Sequence, residues 1–256
     1  MNTTKVQVIF TVFIGLFTIQ SYAQDTIENN FYNRIKSYNL SKVLMADSVE
    51  TEYDDQQPTK VKRPEILGFI GSDFQRFQIH FTSIVKNPKN PYNYFVDGKT
   101  LVKGKRCSFK GTITIQKAEL YQSDDPNYQQ GTSTCEVILY ENKNELYSGF
   151  IKGTLKSNFA IDKKQQFKYD ALMLVSDSFS NNEFVGTWTS YKTNISKKCN
   201  WGDYRIPNCG DLDNGAGEFY VSTKYIKNGW VGYMIEHKMD NAAISQTKGK
   251  AKNWWE

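Results

Sequence analysis

The 256-residue sequence predicts an all-β protein, an antiparallel barrel or strongly coiled sandwich of about eight to ten strands behind a short helical or irregular N-terminal segment. Three observations predict this class. From Ile66 onward apolar residues recur with a period of two. Short polar turns separate these runs, with no long helical pattern between them. Tyr and Phe, at 16 residues each, favour strands over helices, as do the many Thr and Gly.

The elements follow in order. Residues 1–23 read as a signal peptide: Lys5 in a short polar start, the apolar run VQVIFTVFIGLFTI (6–19), then Ser21 and Ala23 before cleavage at Gln24. The run is shorter than the ~18 residues that a membrane helix requires, and no later stretch approaches that length. After cleavage no transmembrane segment is expected, and the chain is expected to be exported to the periplasm, cell surface or extracellular space. Residues 24–65 form a polar N-terminal helix and linker segment. In it NFYNRIKSYNLSKVLM (30–45) only loosely fits a helical stripe, and ADSVETEYDDQQPTKVKRP (46–64) reads as a strap.

Residues 66–238 make up the barrel-like domain. RFQIHF (76–81) alternates Phe77, Ile79 and Phe81 with Gln78 and His80. YNYFVDGKTLV (92–102) carries Asp97-Gly98 between two β-prone runs, a hairpin signal. CSFKGTITIQKAELY (107–121), CEVILY (135–140) and LYSGFIKGTL (146–155) continue the alternation, with ENKNE (141–145) as a polar turn. QFKYDALMLVSD (166–177), FVGTWTSY (184–191), GEFYVSTKYI (217–226) and WVGYMIEH (230–237) read as the remaining strands. Residues 239–256 are a polar tail ending in NWWE, either an amphipathic contact or a frayed end.

FKGTI (109–113), IKGTL (151–155) and FVGTW (184–188) repeat one local pattern at uneven spacing, which excludes a solenoid or propeller period. A mid-strand glycine weakens a strand unless the backbone bends or another segment comes close. Coiling around a small barrel supplies both conditions and removes exposed edges.

Removing residues 1–23 takes away Lys5 alone and lowers the formal net charge from +5 to +4. That excess is small and dispersed, so nucleic acid is not an expected partner. Hydrolytic signatures such as G-x-S-x-G and HExxH do not occur, and no Gly-rich phosphate loop opens a helix. His80 and His237 stand alone, without a second group that would make either a general base. No catalytic residue is assigned.

The four cysteines of an exported chain permit three pairings. Cys199 and Cys209 lie ten residues apart in a Gly-rich stretch, so a disulfide between them is expected. Cys107 and Cys135 flank a hairpin whose turn centres near Asn127, which sets Cys135 opposite a residue near 119; whether they are linked or free stays open.

The candidate site is CNWGDYRIPNCGDLDNGAG (199–217). Aperiodic connections longer than about 12–15 residues tend to be functional or disordered, and its aromatic residues favour order. Trp201, Asp203, Tyr204 and Arg205 offer an aromatic platform with a cationic fork, suited to a small molecule, a glycan or a protein partner. Alternatively, Trp201 caps the barrel and Arg205 pairs with Asp203 or Asp211. Asp211, Asp213, Asn214 and Glu218 give an oxygen-rich set suggestive of calcium, although Gly falls at the fifth position of the loop and Ala216 at the sixth, against the EF-hand template. No other cofactor is implied.

FVGTWTSY resembles, superficially, the Gly-x-Trp strand of lipocalin-like (calycin) barrels, in which that motif lies on the first strand. RFQIHFTSIVKNPKNPYNYFVDGK (76–99), CSFKGTITI (107–115) and the stretch from FVGTWTSY through DLDNGAGEF (184–219) resemble uncharacterised exported β-rich proteins of Gram-negative bacteria. Those resemblances imply a barrel-like architecture and export, and carry over no functional residue. The expected function is that of an exported non-enzymatic β-barrel module that binds a small molecule, glycan or protein. The alternatives are a structural or interaction protein of the cell envelope and, last, an enzyme using carboxylates around Asp203 and Asp211. A cavity above about 300 Å³ lined by aromatics favours a ligand carrier, and a side-chain-filled barrel favours a scaffold.

Overall fold

The computed structural model describes residues 30–51, 59–123, 125–238 and 254–256. The expected leader lies outside them, as does most of the tail. Two single-turn helices, α1 (Tyr32–Ile35) and α2 (Ser41–Leu44), precede twelve strands. β1 (Ser48–Thr51) and β2 (Thr59–Lys62) pair as a separate ribbon, with Val49 opposite Val61, so the expected strap contains a hairpin. The remaining strands are β3 (Leu67–Ile70), β4 (Gln75–Arg76), β5 (Gln78–Lys86), β6 (Asn93–Val102), β7 (Lys105–Gln122), β8 (Tyr128–Glu141), β9 (Gly149–Asp162), β10 (Phe167–Tyr169), β11 (Asn181–Ser190) and β12 (Ser196–Asp203).

These ten form one antiparallel sheet in the order β4-β3-β12-β11-β9-β8-β7-β6-β5, with β10 added to the end of β9. β4 and β5 stand at opposite ends of that order, yet only Phe77 separates them in the chain. The Phe77 N–H donates to the Gly68 carbonyl at 2.9 Å, so the sheet curls into a half-barrel whose two ends meet at Phe77. Inward residues alternate along each strand. Ile113, Ile115, Cys135, Val137, Leu139, Ile151, Leu155 and Phe184 are all buried in one continuous core. The central interior is filled by side chains, and its void measures about 10 Å³.

Two of the three repeated glycines meet across the sheet, while Gly111 lies between Val96 and Leu139. Gly153 pairs with Gly186, and a Cβ on Gly153 would lie 2.6 Å from both the Gly186 Cα and the Phe184 ring. The Phe184 ring therefore lies where two side chains are missing. Gly98 serves the same purpose and overturns the Asp97-Gly98 turn. β6 runs straight through it, because a Cβ there would sit 2.3 Å from the Phe109 ring and 2.3 Å from the His80 carbonyl oxygen. The turn falls at Lys103-Gly104 instead, where both φ angles are positive, 49° and 74°, as a two-residue hairpin requires.

The N-terminal segment closes one end of the barrel. Phe31, Ile35, Leu40, Val43 and Leu44 are buried in the main core. The Phe31 N–H donates to the Ala118 carbonyl at 2.8 Å, and the Leu40 N–H donates to the Tyr94 hydroxyl at 3.0 Å. Two short turns bent around that end, rather than one helix, explain the loose stripe.

Residues 204–238 form a second layer on the outer face of β3, and here two expected strands are corrected. GEFYVSTKYI holds only an isolated bridge, Val221 to Asp213, and a single 3-10 turn, Thr223–Tyr225. WVGYMIEH is helical: α3 (Val231–Glu236) follows an irregular turn through Gly229, φ 91°. Ile226, Trp230, Tyr233 and Met234 follow a helical spacing and bury one face against Leu67 and Phe69. These residues cover the outer face of β3 instead of extending the sheet as further strands. At the chain end, Trp255 stacks on His80 with ring centroids 4.0 Å apart.

Candidate functional site

Antiparallel strands alternate in direction, so the loops β3–β4, β6–β7, β8–β9 and β11–β12 all lie at the barrel end opposite the N-terminal plug. There the inward-facing residues stop before the barrel is filled. They leave a cavity of about 370 Å³, walled by Ile70, Phe77, Val102 and Trp188 and rimmed by Tyr147, Asp73, Lys103, Lys105 and Lys197.

Glu141 and Cys107 form its polar floor. Glu141 continues the inward series Cys135, Val137, Leu139, and it is 5% exposed. Its carboxylate accepts hydrogen bonds from the Trp188 indole N–H at 2.9 Å, the Gly149 amide at 2.8 Å and the Thr100 hydroxyl. It forms no ion pair among the described residues. Burial pushes its pKa above the ordinary 4.5 despite the lowering pull of those three donors. The Cys107 thiol is pushed up to about 12, by burial first and by Glu141 and Glu145 next, so at neutral pH it is a protonated wall group rather than a thiolate nucleophile.

The raised pKa of Glu141 has a defined consequence for stability. The folded state holds this proton more tightly than the unfolded state. Its contribution is therefore present below pH 4.5 and is lost as pH rises through the folded-state value. Glu141→Gln keeps an acceptor for Trp188 and Gly149 and removes the titration. The wild type should lose more thermal stability than Glu141→Gln as pH rises from about 4 to about 8. Parallel melting-temperature profiles for the two proteins would refute the assignment.

The sequence-nominated residues lie elsewhere and are mostly structural. Trp201 is not a platform: it is 1% exposed and sits inside the barrel, stacked on Phe184 with centroids 3.6 Å apart and on Phe77 at 5.9 Å. Asp203, also fully buried, accepts from Asn182 Nδ2 at 2.7 Å and the Tyr169 hydroxyl at 3.1 Å, with Arg63 Nε at 3.8 Å. Burial, the largest influence, raises its pKa against these partners. Tyr204 takes φ 64° and packs edge-on against Phe179. Arg205 is not an open cationic fork. It pairs with Asp213 at 2.6 Å, rather than with Asp203 or Asp211, and donates to the Gly215 and Ala216 carbonyls at 3.1 and 2.9 Å.

The oxygen-rich set does not converge. Asp213 also accepts the Gly215 and Tyr220 amides at 2.9 and 3.0 Å, whereas Asp211 bonds Lys224 and Tyr225, both at 2.7 Å. Asn214 donates its amide to the Tyr220 carbonyl at 2.8 Å, and Glu218 is exposed. Among the described residues, no group of three or more His, Cys, Asp and Glu could hold a metal ion.

The expected Cys199–Cys209 disulfide is absent, and all four cysteines are free thiols. Strand parity is the cause. Odd-numbered residues of β12 face the barrel interior, where Cys199 joins the main core. Even-numbered residues face the returning loop: Lys198 Nζ donates to the Asn208 carbonyl and Asn200 Nδ2 to the Pro207 carbonyl, both at 2.8 Å. Cys209 packs with the outer core, on the other side of the sheet. Cys135 pairs with Ile115 rather than with a residue near 119: Gln122 pairs with Gln129, so the turn centres between residues 125 and 126 instead of at Asn127, and a bulge between Ile115 and Lys117 shifts the register by one residue more.

Sequence reasoning missed the cavity. Glu141 had a signal, since it keeps phase with Cys135, Val137 and Leu139, but its place in the polar ENKNE run masked it. Comparison with protein-family models, curated proteins and solved structures found no match to this chain.

Proposed function

We propose that this protein is an exported, non-enzymatic β-barrel module that binds a small, largely apolar molecule bearing an acidic group in the cavity at its open end. The observation that carries this reading is the cavity itself: its volume of about 370 Å³ is within the range of small-molecule sites, and its walls are mostly apolar and aromatic. Lys103, Lys105 and Lys197 at its mouth outnumber the one carboxylate there, Asp73, and complement an acidic group, and the Glu141 carboxyl on its floor can orient a polar group that reaches it. The expected leader supports export.

The test is calorimetric titration with a panel of aromatic carboxylates, alongside native mass spectrometry of the protein purified from its own host. At least one carboxylate should bind, or a ligand should be retained. Filling the cavity from its floor by Cys107→Phe, or from its wall by Val102→Trp, should weaken that binding by about tenfold or more, equal to about 1.4 kcal/mol. No binding and no retained ligand, or binding indifferent to both substitutions, would sink the reading.

A further inference from the structure

We propose that the open end of the barrel docks on a lipid surface rich in anionic headgroups. This goes beyond the ligand reading and does not need the cavity to be occupied. Its basis is what the loops at that end present. Leu146 and Tyr147 at the tip of the β8–β9 loop are 76% and 73% exposed, and Ile195 in the β11–β12 loop is 58% exposed. The two loops are neighbours, since the Tyr191 N–H donates to the Ser148 carbonyl at 3.2 Å. Tyr147 is held in a left-handed backbone conformation, φ 66°, which disfavours a bulky side chain.

Exposed cations surround these tips: Lys103, Lys105, Lys143, Lys192 and Lys197. None of the five forms an ion pair among the described residues. The acidic side chains of the same loops are few. Glu145 is turned back onto the Ser108 amide and hydroxyl, both at 2.8 Å, which leaves Asp73 on the β3–β4 turn. Apolar tips ringed by unpaired lysines match a bilayer interface: the tips enter the boundary between headgroups and acyl chains, and the cations meet anionic headgroups. At the opposite end, where the N-terminal segment packs, the β10–β11 loop also exposes Met173 and Val175, each 60%, but its only charged side chains are the acidic Asp170 and Asp177, which do not match anionic headgroups. The exposed pair Val85 and Phe95, 57% and 49% exposed on the outer wall, provides an internal control.

The experiment is flotation of the protein, purified from its own host, with phosphatidylcholine vesicles lacking or containing about 30 mol% phosphatidylglycerol. Every variant is compared with wild type in the same processed form. Binding to the anionic vesicles should exceed binding to the zwitterionic ones by about tenfold and weaken as salt rises from about 0.1 M to about 0.5 M. The triple variant Leu146→Ser, Tyr147→Ser, Ile195→Ser and the pair Lys103→Glu, Lys197→Glu should each lower it by about tenfold or more. Val85→Ser with Phe95→Ser should leave it unchanged. All are exposed positions, so circular dichroism should report a native fold throughout. Equal binding to both vesicle types, unchanged binding by either loop variant, or an equal loss in the wall control overturns the proposal.

Discussion

Trp201→Ala is expected to destabilise the protein by about 3–5 kcal/mol, the range for removing a buried large aromatic side chain. The indole fills the space between Phe184 and Phe77 on the inner wall. Phe184 in turn fills the gap left by Gly153 and Gly186, so neither ring has a neighbour that can move in to close the cavity. A loss of this size is a large share of the ~5–15 kcal/mol that holds a typical domain together. Urea unfolding followed by circular dichroism measures it. A change within about 0.5 kcal/mol, as for an exposed contact residue, would show that Trp201 is not the core element described.

The second large effect is expected at Arg205. Arg205→Met removes the partner of Asp213, whose side chain is 6% exposed, and leaves the Gly215 and Ala216 carbonyls without their donor. Breaking a buried pair from one side costs about 3–5 kcal/mol, because the remaining charge stays desolvated. Removing both charges with Arg205→Met and Asp213→Asn should restore part of the loss, giving a coupling energy of about 1 kcal/mol or more. Hydrogen exchange should locate the damage at the Gly215 and Tyr220 amides, which the Asp213 carboxylate holds. Strictly additive single and double variants would show that the pair is not coupled.

Both residues are legible in the sequence as important, with a binding surface and a packing role both readable there. An aromatic and an arginine in an aperiodic stretch look alike whether they bind a ligand or pack a loop. Burial distinguishes the two, and burial depends on what arrives from elsewhere in the chain. Trp201 belongs to the last turn of inward alternation in β12, although the sequence around it carries no period because Gly202 and Asp203 follow at once. Arg205 meets Asp213 because the chain turns back at Tyr204, and a positive φ at a tyrosine has no local sequence signature.

The sequence by itself determined the class of fold, the antiparallel alternation and the inward faces of most strands. These follow from the two-residue period of the strand and need only neighbouring residues. It also determined that the three Gly-Thr strands must accept a close approach. Tertiary structure decided the rest. It carried β6 straight through Asp97-Gly98, curled the sheet so that its two ends meet at Phe77, and packed the later segments on the outer face as turns and a helix. It put Cys199 and Cys209 on opposite sides of one strand. It also left space at the barrel end beside Glu141. Each outcome depends on which strands lie side by side, and that pairing is set by contacts between residues far apart in the chain, which a local period does not encode.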